Sequence, residues 1–140
     1  MKKILITGAH SYIGTSVADY LARWPEKYAV DTLSVRGEKW KQADFSGYDA
    51  VFHVAGIAHA DVGHVSEERK AEYYAVNRDL TLAVAEKAKA DGVGQFLYMS
   101  SAIVYGDSAP IGKRKVITKD TPVAPANFYG DSKVQAEKGL

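Results

Sequence analysis

The chain of 140 residues contains no cysteine. Disulfides and thiolate metal sites are therefore excluded, and a reducing compartment suits such a composition. Neither sign of charge dominates: 18 Lys+Arg against 17 Asp+Glu leave a formal net charge of +1. That gives no electrostatic case for nucleic acid or an anionic membrane as a partner. Long apolar runs are missing too. Met1-Lys2-Lys3 faintly resembles the basic start of a secretory leader, but the apolar stretch behind it, Ile4-Leu5-Ile6, closes at Thr7-Gly8. This is far too short for a leader core or a membrane span, so a cytoplasmic location is the default expectation. Proline is scarce, and three of the four prolines fall between Gly106 and Asn127.

What is present is a globular composition, 46% hydrophobic and 25% charged, sufficient for one core and one domain over residues 1–140. Ile4 to Thr7 is a short apolar run closed by Gly8 and reads as a buried strand. From Tyr12 to Trp24, Ile13, Val17, Ala18 and Leu21 recur at helical spacing until Pro25 stops the helix. Val30–Val35 and Ala50–Val54 read as the second and third strands. Glu67 to Asp91 reads as one long helix, with Val76, Leu80, Val84 and Ala88 along its apolar face and Gly92 as its cap. Gln95 to Ser100 is a fourth strand, Gly106 to Asn127 a long loop, and a last helix starts near Tyr129. Strands alternating with helices predict an α/β fold with a parallel sheet and right-handed crossovers. Such a sheet is covered on both faces, which accounts for short apolar strands without polar alternation.

Directly after the first strand stands Thr7-Gly8-Ala9-His10-Ser11-Tyr12-Ile13-Gly14. Glycine at such a place serves a tight turn, close approach of the backbone to a pyrophosphate, and close packing of helix on strand. The start of the helix then offers free N–H groups to phosphates. Gly8 and Gly14 occupy the outer places. Ser11 takes the middle one, small enough for close approach and carrying a hydroxyl for a phosphate. A plain strand-to-helix turn is the alternative, but the placement between first strand and first helix favours a dinucleotide. Selection between NAD and NADP belongs at the end of the second strand, about 20 residues further on. An acid there binds the ribose 2′-hydroxyl, whereas an arginine accommodates a 2′-phosphate. The chain offers Ser34, Val35 and Arg36, with Asp31 toward the other end of the strand, so NADP stays open beside NAD.

Tyr129 and Lys133 stand one helical turn apart and project from one face, with Ser101 upstream. In a chain with nine tyrosines, a Tyr-x-x-x-Lys pair alone arises about once by chance. Its weight comes from the order in which the other pieces precede it. An ammonium beside a phenol favours the phenolate and suits the pair for proton transfer. His53, His59 and His64 are irregularly spaced and no thiolate accompanies them, so no metal site is expected. His53 reads as strand core and His59 as loop. Lys113-Arg114-Lys115 reads as a solvated loop, Arg78 and Asp79 as a helix surface pair, and Tyr73 and Tyr74 as packing.

The ordered series resembles the extended short-chain dehydrogenase/reductase superfamily, specifically the NAD-dependent epimerase/dehydratases acting on nucleotide sugars. The loop holding Gly8, Ser11, Tyr12, Ile13 and Gly14 resembles the family's cofactor loop. Asp44-Phe45 is similar to the pair that holds the adenine. Val51-Phe52-His53-Val54-Ala55-Gly56 is similar to the third-strand segment under the cofactor. Asn77, in Val76-Asn77-Arg78-Asp79, matches the family's helix asparagine. Ser100-Ser101-Ala102-Ile103-Val104-Tyr105-Gly106 resembles its serine segment, and Tyr129-Gly130-Asp131-Ser132-Lys133 its catalytic helix. Taken singly, Asn77 also reads as a satisfied buried polar residue, Asp44 as a turn acid, and Ser100 and Ser101 as strand-end hydroxyls.

The resemblance implies a Rossmann-like doubly wound parallel sheet. It implies NAD(P) bound by the residues of those segments, with Arg36, Val54, Ala55, Gly56, Ser100, Tyr129 and Lys133 among them. Tyr129 would remove a proton from a sugar hydroxyl while hydride leaves the same carbon for the nicotinamide. Ser101 would hydrogen-bond the reacting oxygen, and Lys133 would hold the nicotinamide ribose. Ser11, Ser34 and Phe128 depart from the family pattern, in which glycine, an acid and proline are frequent.

Family members are considerably longer. The resemblance therefore also implies that the chain corresponds to their amino-terminal part, truncated after the catalytic helix, with the region that grips the nucleotide sugar outside it. A sheet ending at its fourth strand exposes an apolar edge, so self-association into a homo-oligomer is expected. A non-catalytic NAD(P)-binding module and a related carbonyl reductase stand as alternatives.

Overall fold

A computed structural model describes residues 1–58 and 64–140. His59 lies outside the described residues. The chain divides into two compact units, Met1–Gly56 with Thr81–Met99, and Ile57–Leu80 with Ser100–Leu140.

The first unit is built on a parallel sheet of β1 (Lys2–Thr7), β2 (Tyr28–Leu33), β3 (Ala50–His53) and β4 (Gln95–Tyr98). Their order is β2-β1-β3-β4, with Thr7 level with Leu33 on one side and with His53 on the other. The expected Rossmann-like α/β arrangement is what forms. The chain leaves β1 for β2 on one side and comes back to β3 on the other. The carboxyl ends of β1 and β3 therefore flank a topological switch point, where ligands of open α/β sheets bind. Leu5, Ile6 and Val51 of the sheet are buried, as are Val84 and Ala88 of α3 (Thr81–Ala90), which with α1 (Tyr12–Leu21) covers it.

α1 ends three residues before the anticipated Trp24. The amides of Arg23 and Trp24 turn to the carbonyls of Tyr20 and Leu21, tightening the chain out of the α-helical pattern. β2 likewise stops at Leu33, and Val35 is buried beyond the strand. A 3₁₀ turn at Lys39–Gln42, which the sequence pattern does not announce, buries Trp40. His53 is fully buried in strand core, as its position suggests. Its Nδ1 lies 2.7 Å from Thr7 Oγ1 and its Nε2 3.1 Å from Thr81 Oγ1. These hydroxyls satisfy an imidazole that would otherwise be costly to bury.

The second unit contains α2 (Glu67–Tyr74), a π-helical turn (Ala75–Leu80), a 3₁₀ turn (Ala102–Tyr105), an irregular segment over 106–127, and α4 (Phe128–Gly139). Ser66 caps α2 by accepting from the Arg69 amide at 3.2 Å, and Asn127 caps α4 by accepting from the Gly130 amide at 3.0 Å. The single helix anticipated over 67–91 is thus α2, the π turn and α3. Its buried positions are Tyr73, Asn77, Thr81, Val84 and Ala88, while Val76 and Leu80 are only half-buried. The wider i→i+5 turn and the hydrogen bonds made by Asn77 and Thr81 shift that row away from the purely apolar stripe.

Candidate active site

The residues expected to form a phosphate loop sit at the carboxyl end of β1. Gly8 has φ +114°, and a Cβ there would stand 2.8 Å from the Ala55 amide nitrogen and 3.0 Å from Val54 Cγ2. Only glycine supplies both the conformation and the room. Val54 and Ala55 thereby run directly past the loop, their amides donating to the Thr7 carbonyl at 2.9 and 3.1 Å, and Gly56 follows them exposed. At Gly14 a Cβ would meet Ser11 Oγ, Val54 Cγ2 and Ile6 Cγ2 at 2.6, 3.1 and 3.2 Å, so the helix packs tightly on its strand. Ser11 Oγ caps α1 by accepting from the Gly14 amide at 3.0 Å, which leaves its O–H to donate. Tyr12 and Ile13 open the helix, are exposed, and have amides without intrahelical acceptors. This is a cradle of N–H and O–H donors with backbone close on one side, and it suits a pyrophosphate.

The Asp44–Phe45 pair forms a turn in the same unit. Asp44 Oδ1 accepts from the Ser46 amide at 2.8 Å, and bonds to Ser46 hold this exposed carboxyl below its usual range. Phe45 is buried under Lys87, whose ammonium lies 4.9 Å from the ring centroid. Asp91 Oδ2 accepts both from the Phe45 amide and from Lys87, each at 2.9 Å. Sequence reading missed Asp91. Its only signal was the i,i+4 spacing from Lys87 ahead of Gly92. Arg36 follows β2 on an exposed bend, its amide 3.4 Å from Ser34 Oγ. Asp31 faces elsewhere and accepts from the Tyr48 hydroxyl at 2.9 Å.

The remaining candidates belong to the second unit. Ser101 opens the 3₁₀ turn as its cap, accepting from the Ile103 amide at 3.3 Å. The first turn of α4 lies against that segment. A Cβ on Gly130 would stand 2.9 Å from the Ile103 carbonyl oxygen and 3.0 Å from Pro125 Cβ. Gly130, between Tyr129 and Lys133, is what lets the serine segment and the Tyr-Lys helix touch backbone to backbone. The Tyr129 ring meets Tyr73 edge-on at 6.0 Å, and Phe128 meets it at 5.0 Å. Lys133 is 5% exposed, and burial pushes its ammonium down to about 8 despite the opposing field of Glu137.

Asn77, in the π turn, is fully buried. Its Oδ1 accepts from the Ile57 amide at 2.8 Å, and its Nδ2 donates to the Ile57 carbonyl and to Ser132 Oγ, both at 3.0 Å. A second tie runs from the Tyr74 hydroxyl to Asp131 Oδ2 at 2.7 Å, and that phenol is pushed up to about 12 by burial and by the carboxylate. Arg78 reaches Gln135 Oε1 at 2.6 Å as well as Asp79, so it does more than form a surface pair. The Ser100 hydroxyl donates to Glu137 Oε1.

A groove of about 760 Å³ lined by Lys2, Tyr48, Asp49 and Gln95 lies at the amino ends of the strands, the opposite end of β1 from Gly8. Among the described residues, no cluster of three or more His, Cys, Asp or Glu is placed to hold a metal, and no helix is long and apolar enough to cross a membrane.

A parallel sheet in this order, with a glycine cradle at its switch point, defines a Rossmann-like α/β protein. The chain belongs to the NAD dependent epimerase/dehydratase family, whose model matches residues 4–140. The UDP-glucose 4-epimerase of Erwinia amylovora is 33% identical over 165 residues, covering 98% of this chain and 47% of the relative. RMD from Pseudomonas aeruginosa, solved in complex with NADPH, superposes with a TM-score of 0.73 at 27% identity, over 99% of this chain and 48% of its own. A short-chain dehydrogenase/reductase superfamily protein from Agrobacterium tumefaciens, solved with bound NAD, shares the fold with a TM-score of 0.76 at 24% identity, over 98% of this chain and 43% of its own. The chain thus spans about half the length of the relatives it matches.

Proposed function

We propose that residues 1–140 form an NAD(P)-binding domain of an enzyme that epimerises or dehydrates a nucleotide sugar, with Tyr129, Lys133 and Ser101 as its catalytic residues. The observation that carries this reading is the seating of the serine segment against the first turn of α4 at Gly130 and Ile103. The cradle at Gly8, which any side chain would fill, supports the dinucleotide half. The substrate class follows from the activity named for the Erwinia amylovora relative.

In this reading the cofactor-binding residues of the first unit are Gly8, Ser11, Tyr12, Ile13, Gly14, Arg36, Asp44, Phe45, Val54, Ala55 and Gly56. Those of the second are Asn77, Ser100, Tyr129 and Lys133. NAD is the proposed cofactor, and Arg36 leaves room for NADP. When bound, it supplies reversible two-electron oxidation at a sugar carbon. Tyr129 takes the proton from the sugar hydroxyl. Lys133, cationic at neutral pH, stabilises the phenolate as it forms. Ser101 accepts from Ile103 yet retains its O–H, which it donates to the reacting oxygen. Self-association along the outer edge of β4 belongs to the same proposal.

Calorimetric titration of NAD and NADP into the protein tests the reading. Saturable heat is expected with NAD and is expected to be lost in Gly8→Val. Absence of heat with both nucleotides would overturn it. UDP-glucose added to the NAD-loaded protein, with free glucose as control, tests the substrate class.

A further inference from the structure

Along α4, Tyr129, Lys133 and Glu137 follow at four-residue steps and so share one face. The last of the three is bonded outward: Glu137 Oε1 accepts the hydroxyl of Ser100, the neighbour of Ser101. One carboxylate therefore grips the serine segment and stands one turn beyond Lys133. We propose that Glu137 is a positioning residue for the Tyr129–Lys133–Ser101 chemistry, fixing the serine segment to α4 through Ser100 and holding a negative charge one turn from Lys133. The inference rests on the function proposed above.

The electrostatics agree with the geometry. Lys133 is pushed down by burial, and Glu137 acts in the opposite direction on it. The other charged and titratable groups on α4 and the elements packed against it are paired, aromatic or exposed. α2 carries the pairs Glu67–Lys70 and Arg69–Glu72, Glu68 bonded to Ser66, Tyr73 against Tyr129, and Tyr74 on Asp131. The π turn carries Asp79 and Arg78, bonded to each other, with Arg78 also donating to Gln135 of α4, and the 3₁₀ turn carries Tyr105. On α4 itself, Asp131 is taken by Tyr74 and Gln135, and Lys138 is exposed.

The two parts of the role separate by mutation. Glu137→Gln keeps an oxygen for the Ser100 hydroxyl and removes the charge. Ser100→Ala keeps the charge and removes the tether. The readouts are the titration of Lys133 by carbon-13 NMR of its Cε, assigned with Lys133→Arg, and the backbone amide resonances of Ser101 to Ile103, all on the 140-residue protein. Glu137→Gln is expected to lower the Lys133 midpoint by about one pH unit and to leave the Ser101–Ile103 amides in place. Ser100→Ala is expected to do the reverse. An unmoved midpoint in Glu137→Gln overturns the charge role, and unmoved amides in Ser100→Ala overturn the tether. Each variant reads one part alone, so loss of fold in either leaves the other decisive. NAD titration of the unsubstituted protein separates this inference from the functional reading. Shifts as expected without NAD binding remove that reading and support the placement of Glu137; NAD binding without the shifts does the opposite.

Discussion

Asn77 Nδ2 donates to Ser132 Oγ at 3.0 Å, tying the π-helical turn to the middle of α4. The same amide group exchanges two hydrogen bonds with the backbone of Ile57, so one side chain serves three segments of its unit. Asn77→Leu would take away the partner of the half-buried Ile57 amide and carbonyl and the donor to buried Ser132 Oγ, whose own O–H stays on the Tyr129 carbonyl. We expect a loss of about 3 kcal/mol in urea unfolding. Asn77→Asp should cost less, because its carboxylate still accepts from Ile57. Equal stability of parent and Asn77→Leu would show that the pairing contributes nothing.

The residues legible in the sequence are those whose signal is local. An apolar run closed by Gly8 marks β1 and the loop, and the i,i+4 step marks Tyr129 and Lys133 on one helix face. The π turn was not legible, because it depends on partners of Asn77 20 and 55 residues away in sequence. Ser101 was legible as a hydroxyl at a strand end, but its 3₁₀ turn was not. That turn is held from outside by the Ala124 amide on the Val104 carbonyl and by Lys115 on the Tyr105 carbonyl. Asp91, which anchors Phe45 from 46 residues away, is the same kind of omission. Periodicity reports what a segment buries and is silent about which distant group satisfies it.

The two loop glycines should respond differently to a methyl group. At Gly8 both the positive φ and the Ala55 backbone oppose it. Gly8→Ala should therefore lower stability by about 2 kcal/mol or more and weaken NAD at least several-fold in calorimetry. At Gly14 the nearest atom is the Ser11 hydroxyl, which can rotate away at the expense of the helix cap. Gly14→Ala should cost about 1 kcal/mol. The opposite ranking would count against the assignment of Gly8 to the close approach.

Among the described residues no strand lies beyond β4 in the sheet, and its Leu97 is 41% exposed. Such an edge templates pairing with another chain unless a charge interrupts it. Sedimentation at micromolar concentration should give a mass above that of a monomer, and Leu97→Lys should bring it down without changing the circular dichroism. A parent protein that sediments as a monomer would sink the proposal of self-association.

The titrations of buried Lys133 and half-buried Tyr74 give stability a maximum on the alkaline side. Lys133 is pushed from its ordinary 10.5 down to about 8. Between those values the unfolded chain holds the proton that the folded one has released, so stability rises with pH through that window. Tyr74 acts with the other sign. Its phenol goes from 10.0 up to about 12, so the folded chain keeps a proton that the unfolded chain loses. Stability therefore falls as pH climbs through that range. The Lys133 contribution is about 3 kcal/mol across that window. Urea unfolding at a series of pH values should show the rise flattened in Lys133→Met and the fall flattened in Tyr74→Phe. Slopes identical to the parent's in Lys133→Met would mean that its ammonium is solvated in the folded chain, and with it would go the argument that Tyr129 works beside a buried cation.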